Sequence, residues 1–308
     1  MSFAIAFENV GIALLYFLPG YLLCKWKKAF GEHLPTLSAL LIYIGTPALE
    51  INAFSSLKCT AENTWWMILF FIVTLALQCG FIAVVFLLFR KKRKDSRVRM
   101  TAIGSVMGNV GFFGMPIIRA LLPNAPEVAS YVAVFMLSMN ILVFTVGAFC
   151  LTGKREYISL RCAFCNPTVI GFLIALPFYI FDIDSFLPQA VQNAITTVSS
   201  MTMPLCMFVL GVRLATKPLK TVIRQPVVYG ISALKLLVFP VISYGIVTLL
   251  HLPYSFRAAI LILCGTPCAA VILSLAELYN KETKLAADTL IVCTILSVLT
   301  IPLLSLLL

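Results

Sequence analysis

The chain alternates between long apolar runs and short polar connections. A helix needs about 20 mostly apolar residues to cross the hydrocarbon core of a bilayer. By that criterion we predict ten membrane-spanning helices, numbered here as spans 1 to 10, at approximately 5–24, 36–57, 65–89, 100–122, 128–151, 166–181, 188–215, 227–250, 256–278 and 285–308. The first run follows no basic segment and lacks a small-residue cleavage site, so we interpret it as a retained helix rather than a signal peptide.

The composition agrees with this pattern. Of the 308 residues, 61% are hydrophobic and 11% are charged, whereas a soluble domain has about 25% charged residues. The sequence therefore predicts an all-α polytopic membrane protein. Ten cysteines are scattered, and the pair Cys162 and Cys165 has no second pair that would complete a zinc site. We expect reduced thiols, no bound metal and no cofactor other than a coupling ion, H⁺ or Na⁺.

The basic residues predict the orientation of the chain. The formal net charge is +11, and 19 of the 23 Lys and Arg residues lie in the odd-numbered connections between spans. Because cytoplasmic connections are enriched in Lys and Arg, both termini are expected on the non-cytoplasmic side of a cell membrane. These residues then need no nucleic-acid partner. They are Lys25, Lys27, Lys28, Arg90, Lys91, Lys92, Arg93, Lys94, Arg97, Arg99, Lys154, Arg155, Arg161, Arg213, Lys217, Lys220, Arg224, Lys281 and Lys284.

Spans 4 and 9 are interrupted by residues that break helices. In hydrocarbon, an unpaired backbone group costs several kcal/mol, so irregular backbone survives only inside protein or beside a water-filled cavity. One interpretation is close helix packing, with Gly104, Gly108 and Gly111 on one helical face. The other is a pair of unwound segments that bind a solute. On that interpretation the candidate binding residues are Gly108, Asn109, Gly111, Gly114, Pro116, Gly265, Thr266 and Pro267.

The two halves of the chain, 1–151 and 152–308, resemble each other weakly. Pro47 of span 2 has a counterpart in Pro204 of span 7, and the interruption of span 4 has a counterpart in span 9. Five spans in each half give the halves opposite orientations. Interrupted spans at matching places in inverted halves indicate a transporter binding site near the centre of the bilayer.

Several motifs also resemble those of the auxin efflux carrier family, over essentially the whole chain. They are Gly108-Asn109-Val110-Gly111-Phe112-Phe113-Gly114-Met115-Pro116 in span 4, Asn166-Pro167-Thr168-Val169-Ile170-Gly171, Leu187-Pro188 and Pro204-Leu205-Cys206-Met207-Phe208-Val209-Leu210-Gly211 in spans 6 and 7, Ala276-Glu277-Leu278-Tyr279, and Thr294-Ile295-Leu296-Ser297 with Pro302.

That resemblance implies a secondary carrier with two inverted five-helix repeats. In the family, broken helices 4 and 9 cross, and scaffold and transport domains are each built from both repeats. Plant members export auxin, whereas bacterial members are associated with malonate, malate and similar acids. This chain has a very short central connection, and Thr266 and Cys268 stand in span 9 without an asparagine to partner Asn109. Both departures argue against auxin as its substrate.

Three polar residues within apolar runs are candidate supporting or coupling residues: Lys235, Glu50 and Gln78. Lys235 either extends to the cytoplasmic interface or is a fixed cation near the interruptions, since a buried lysine normally faces a bundle interior or water. Glu50 is a proton acceptor, a buried partner of a basic group, or a residue of an outer vestibule. We expect Gln78 and Asn140 to bond between helices, and Asp288 with Glu277 to be interfacial.

The leading hypothesis is a secondary transporter of small organic anions that works by alternating access. Its expected partners are a carboxylate-like solute, membrane lipid and, as an open alternative, a second copy in a homodimer. A solute receptor or channel-like pore is the alternative function, although the chain has no signalling domain. An enzyme is not expected, because the only histidines, His33 and His251, lie near span ends and no HExxH motif occurs.

Overall fold

The computed structural model describes residues 2–216 and 225–308 of the chain. The basic residues Lys217, Lys220 and Arg224 lie outside this part. Within the described residues, regular structure is helical, and the only β-type pairing is one isolated antiparallel bridge between Gly108 and Cys268. The all-helical class predicted from the apolar runs is therefore confirmed.

The first half of the chain contains nine α-helices. Short π-helical turns join α3 to α4 at Leu41–Gly45 and α8 to α9 at Val143–Gly147, so that each pair forms one longer rod, and a third such turn at Val110–Gly114 leads into α7. The helices are α1 (Ser2–Leu15), α2 (Phe17–Lys25), α3 (Leu34–Leu40), α4 (Thr46–Ser55), α5 (Ala61–Leu88), α6 (Ser96–Gly104), α7 (Met115–Leu121), α8 (Glu127–Leu142) and α9 (Ala148–Thr152).

The described part of the second half follows a similar plan, and a π-helical turn at Leu234–Val238 joins two of its helices. Its helices are α10 (Leu160–Phe164), α11 (Pro167–Phe181), α12 (Gln189–Ala215), α13 (Pro226–Ala233), α14 (Phe239–Leu249), α15 (Tyr254–Cys264), α16 (Ala270–Leu278) and α17 (Thr283–Ser305).

Side-chain caps explain where several of these helices begin. The Thr60 hydroxyl accepts a hydrogen bond from the Asn63 amide at 3.1 Å and starts α5. Asn166 accepts from the Val169 amide at 3.1 Å and starts α11, which has Pro167 as its first residue. A cap satisfies amides that lack a partner in the first turn, and proline fits there because its missing N–H is not needed.

Eight helical segments of the described chain are long and apolar enough to cross a membrane. They include the continuous rods Phe3–Lys25, Gly31–Ser55, Ala61–Leu88 and Glu127–Thr152. The regions predicted as spans 4 and 9 do not form single long helices. Instead they contain the shorter apolar segments Val110–Leu121 and Tyr254–Cys264, because glycine and proline end the helices where the sequence indicated.

Helices α2 and α12 approach each other closely at two glycines. A Cβ atom on Gly20 would overlap the carbonyl oxygen of Phe208, and one on Gly211 would overlap that of Phe17. Small residues at membrane helix contacts allow such backbone approach and the dispersion contacts that come with it. Helix α4 packs against both α11 and α12, so these four helices form one packed group, which we call the α2–α12 group.

An aromatic cluster joins three other helices. The ring of Phe70 on α5 stacks on Tyr131 of α8, with centroids 4.5 Å apart. Phe256 of α15 meets the edge of both rings, at 4.8 and 5.6 Å. Because stacked and edge-on aromatic pairs contribute beyond their buried area, this cluster fixes α15 against α5 and α8. Helix α15 is thereby positioned just before the interruption of span 9.

Two expectations about polar residues are wrong. Among the described residues, the hydrogen bond of the Asn140 side chain stays within its own helix, because Nδ2 donates to the Met136 carbonyl at 2.9 Å. Asp288 is buried rather than interfacial and accepts a hydrogen bond from Gln225 Nε2 at 3.1 Å. The sequence gives the depth of each residue along its helix, but the face depends on neighbours that only the fold supplies.

We predict opposite effects for alanine at two glycines of the first span. Gly20→Ala places a methyl group against the Phe208 carbonyl and should lower the stability of the purified protein by about 1–3 kcal/mol. Gly11→Ala meets no atom within 4 Å and should leave it unchanged or raise it, because alanine favours helix. Thermal unfolding in detergent measures both, and equal losses would contradict the close approach of α2 and α12.

Candidate functional site

The interruption of span 4 lies between α6 and the turn that precedes α7. The α-helix ends at Gly104, and Asn109 has φ −78° and ψ 61°, outside the helical region. The chain becomes helical again at Val110–Gly114 and continues into α7, with Pro116 in the first turn of α7. Proline is tolerated at that place because the first amides of a helix have no intrahelical partner.

The interruption of span 9 has the same form. Helix α15 ends at Cys264, and α16 begins at Ala270. Between them, Gly265 and Thr266 are fully enclosed, and the Thr266 hydroxyl donates to the Leu263 carbonyl at 2.7 Å. The Thr266 backbone amide donates to the same carbonyl at 3.3 Å, so both donors of Thr266 bond to the end of α15.

The two interruptions are bonded directly to each other. The Asn109 amide donates to the Pro267 carbonyl at 2.7 Å, and the Ala269 amide donates to the Met107 carbonyl at 3.2 Å. The Cys268 thiol adds a bond to the Gly104 carbonyl at 3.2 Å. Each break therefore supplies partners for backbone groups that the other break leaves unpaired, as apolar surroundings require.

Lys235 lies beside this junction and is fully buried. Its ammonium group donates a hydrogen bond to the Cys264 carbonyl at the end of α15. It also lies 5.5 Å from the centre of the Phe239 ring, a distance at which a cation interacts with an aromatic face. The alternative that Lys235 extends to the cytoplasmic interface is wrong, because its side chain turns inward and supports the end of a helix.

Gly108 is the point of closest approach at the junction. A Cβ atom there would overlap the Thr266 hydroxyl and would lie 3.1 Å from the Lys235 ammonium nitrogen. The interpretation that Gly104, Gly108 and Gly111 share one helical face is wrong, since the helix ends at Gly104 and Gly108 lies in the extended bridge. Gly108 instead allows the second break and the lysine to come close.

The other glycines of the predicted site are also tightly enclosed. A Cβ atom on Gly111 would meet the Met136 sulfur at 2.5 Å, and one on Gly265 would meet Leu304 Cδ1 at 2.5 Å. Gly114 faces both Leu263 and Thr266 of the second break. Seven of the eight candidate residues are buried, and Pro116 is half-buried.

Asn109 places an amide side chain at the junction, and it is 9% exposed. Its Nδ2 donates to the Cys206 sulfur of α12 at 3.5 Å, while its backbone carbonyl accepts from the Phe113 and Gly114 amides at 3.2 and 3.1 Å. Since sulfur is a weak acceptor, the amide retains capacity for a stronger one. The contact with Cys206 links the junction to the α2–α12 group.

Glu50 lies away from this junction, in α4. It is fully buried, and neither carboxyl oxygen has a hydrogen-bond partner among the described residues. Its Oε2 lies where a Cβ atom on Gly171 of α11 would be, next to Pro47. The alternatives of a partner for a basic group and of an exposed vestibule residue therefore do not match the described structure.

Gln78 lies in the interior of α5, and it is also fully buried. Its Nε2 donates to the Ser138 hydroxyl of α8 at 3.2 Å, and the Thr74 hydroxyl donates to the same oxygen at 3.2 Å. The expectation that Gln78 bonds between helices is confirmed. Its Oε1 has no partner among the described residues.

Arg213 marks a cavity that sequence reasoning missed, because its charge was assigned to orientation alone. The cavity has a volume of about 260 Å³ and is lined by residues of α3, α12, α16 and α17, including Arg213, Glu277 and Thr283. The Arg213 Nε is buried and has no hydrogen-bond partner among the described residues. Arg213 follows Cys206 by seven residues, or two helical turns, so both lie on one face of α12.

Over nearly its whole length, the chain is similar to membrane transport proteins. The sequence profile of a family described as membrane transport protein matches residues 5–161 and 157–305. A protein of Methanocaldococcus jannaschii named "Uncharacterized transporter" is 28% identical, over 97% of this chain and 97% of its own length. A protein of Rhizobium meliloti named "Putative malonate transporter" is 25% identical, over 96% of this chain and 94% of its own length.

We predict that a side chain at position 108 destabilises the junction. Gly108→Ala should lower the thermal stability of the purified protein by several degrees, because the new methyl group overlaps the Thr266 hydroxyl. Gly80→Ala in α5 meets no atom within 4 Å and serves as the matched control. The double variant Gly108→Ala with Thr266→Ala should recover part of the loss. Additive losses in that double variant would show that the two positions do not touch.

Proposed function

The chain belongs to the membrane transport protein family, the family of the auxin efflux carriers, and on that basis we propose that it is a secondary transporter of small organic anions. The solute binds where the interruptions of spans 4 and 9 meet, and transport proceeds by alternating access. The bonded pair of breaks, Asn109 to Pro267 and Ala269 to Met107, is the observation that carries this proposal.

We infer ten membrane spans arranged as two inverted repeats, 1–151 and 152–308. A constant separation of 157 residues supports the repeat, since it relates Pro47 to Pro204, Gln78 to Lys235, and Asn109 to Thr266. The packing agrees with it. Span 1 packs on span 7 through α2 and α12, and span 2 packs on span 6 through α4 and α11, as an exchange of the two halves requires.

The junction suits an anion for two reasons. The helical segments that begin at Val110 and Ala270 each direct unpaired amides and a partial positive charge toward their first residues. Lys235 adds a side-chain nitrogen that donates hydrogen bonds, 3.1 Å from where a Cβ atom on Gly108 would be. Asn109 then supplies an oriented donor and acceptor that discriminate among solutes. The name of the relative in Rhizobium meliloti makes malonate the first solute to test.

The Arg213 cavity is the proposed entrance from the cytoplasm. It lies between α12 of the α2–α12 group and the helices α16 and α17 that follow the second break. On α12, Arg213 is about 10 Å from Cys206, at 1.5 Å per residue, and Cys206 touches Asn109. An anion attracted to Arg213 would therefore have a path along this face to the junction. If both termini lie outside, as the distribution of basic residues predicts, this cavity opens on the cytoplasmic side.

Alternating access requires one group of helices to move against another. We assign the α2–α12 group as the scaffold, because its backbones are in contact at Gly20 and Gly211 and cannot slide easily. The junction, with Lys235 and the aromatic cluster of Phe70, Tyr131 and Phe256, belongs to the moving part. Asn109 touches Cys206 across the boundary, so this contact breaks and reforms during transport.

Glu50 is the proposed proton carrier for coupling. A carboxylate without partners is very costly in an apolar interior, so the buried Glu50 side chain holds a proton in this conformation. Movement of α8, which belongs to the moving part, against α4 of the scaffold would open a path to Glu50 and release the proton. A proton would then accompany the carboxylate solute and offset one of its negative charges.

Removal of the Asn109 side chain tests the solute site. Asn109→Ala should reduce malonate uptake into proteoliposomes by at least tenfold, because the solute loses its oriented hydrogen bonds. Asn140→Ala is the matched control, since that amide bonds only to its own helix. Transport at the wild-type rate by a correctly inserted Asn109→Ala protein would remove Asn109 from the site. A flux that does not saturate with concentration would indicate a channel instead.

A permanently neutral side chain at position 50 tests the coupling. Glu50→Gln should retain solute exchange but lose stimulation by an inward proton gradient, because glutamine neither binds nor releases a proton. Glu62→Gln, at the exposed start of α5, should respond to the gradient as the wild-type protein does. Full gradient stimulation in Glu50→Gln vesicles would exclude Glu50 as the coupling group.

A further inference from the structure

A cavity outside the junction lies between α5, α6 and α13. It has a volume of about 870 Å³, and we call it the basic groove. One wall is apolar and consists of the last turn of α5 together with α13, including Leu87, Leu88, Val227 and Leu234. Leu87 and Leu88 are 69% and 70% exposed, so this wall opens toward the lipid of the membrane.

The other wall carries positive charge. Four cations line it: Arg90, Lys91, Lys92 and Arg97. The only acid in the lining is Asp95, whose Oδ1 already accepts a hydrogen bond from the Arg97 amide at 2.9 Å as the cap of α6. None of the four cations forms an ion pair with an acidic residue of the described chain. The groove therefore has one apolar wall and one wall whose four positive charges have no acidic ion-pair partner among the described residues.

Orientation alone does not require this arrangement. Basic residues fix the topology of a membrane protein wherever they stand in a cytoplasmic connection. A cavity that continues from the charges down an apolar, lipid-facing wall is a separate feature. Gly230 of α13 contributes to it, because a Cβ atom at that position would meet no atom within 4 Å.

We propose that the basic groove binds one anionic glycerophospholipid of the cytoplasmic leaflet. The headgroup phosphate pairs with Arg97 and the cations that follow α5, and the upper part of an acyl chain lies against Leu87 and Val227. Basic pockets between membrane helices recognise anionic headgroups in this way. A soluble anion would leave the apolar wall uncovered, and a zwitterionic lipid would leave the positively charged wall unneutralised.

A lipid in the basic groove would contact residues next to Lys235 and thereby affect the proposed solute site. The groove includes Ala233 and Leu234, and the next residue is Lys235, which holds the end of α15. A lipid that fixes α13 would therefore also fix the position of Lys235 at the junction. The basic groove is separate from the proposed solute site, and lipid binding there does not depend on the identity of the solute.

Thermal unfolding of the delipidated protein in detergent tests the proposal. Phosphatidylglycerol should raise the unfolding temperature saturably, because a ligand that binds only the folded state stabilises it, whereas phosphatidylcholine with the same chains should not. Gly230→Leu fills the groove without changing its charge and should abolish the rise. Gly245→Leu in α14, whose added side chain also starts in open space but lies outside the groove, should keep it.

A second pair of variants tests the charge separately. Arg97→Gln should weaken the apparent affinity for phosphatidylglycerol about fivefold. One cation near an anionic lipid surface contributes a binding free energy that corresponds to about this factor. Arg99→Gln changes an equal charge outside the groove lining and should have little effect. Two outcomes would overturn the proposal: a full response in Gly230→Leu with equal effects of the two arginine variants, or an equal temperature rise with glycerol phosphate or malonate in place of the lipid.

Discussion

Within a membrane, every backbone amide and carbonyl that leaves a helix needs a hydrogen-bond partner inside the protein. The structure depends on how this chain supplies those partners. The two interruptions provide partners for each other through the amides of Asn109 and Ala269. The carbonyls left at the ends of α6 and α15 are bonded by the Cys268 thiol and by the Lys235 ammonium group. Neither break would be stable in hydrocarbon without the other.

This mutual dependence explains why the polar chemistry is concentrated at the junction. Helix starts, an oriented amide and a buried cation are close together there because the backbone requires them, and the same groups suit a small carboxylate. It also explains the glycines, because Gly108 must admit both Thr266 and Lys235. The contact of Asn109 with Cys206 then connects the junction to the α2–α12 group, so that a bound solute can bias the relative position of the two parts.

Much of the fold was predictable from the sequence because apolar length and Gly–Pro interruptions are local properties. The positions of both breaks and the unusual depth of Lys235 follow from the sequence alone. The direction in which a single side chain points, toward a neighbouring helix or away from it, does not follow from the sequence. Asn140 bonds within its helix, Asp288 is buried, and Gly108 lies beyond the end of α6. Cys206 and Arg213 gain their meaning only from α12 lying beside the junction, a contact between segments about 100 residues apart.

In the proposed mechanism, a carboxylate solute occupies the junction next to Cys206. A variant that retains only Cys206 and Cys59 allows a direct measurement, since Cys206 contacts Asn109 and Cys59 is exposed. Saturating solute should slow alkylation of Cys206 in transport-competent vesicles and leave the rate at Cys59 unchanged. The concentration for half protection should match that for half-maximal transport. If Cys206 is alkylated at the same rate with and without solute in vesicles that transport it, the solute does not bind at the junction.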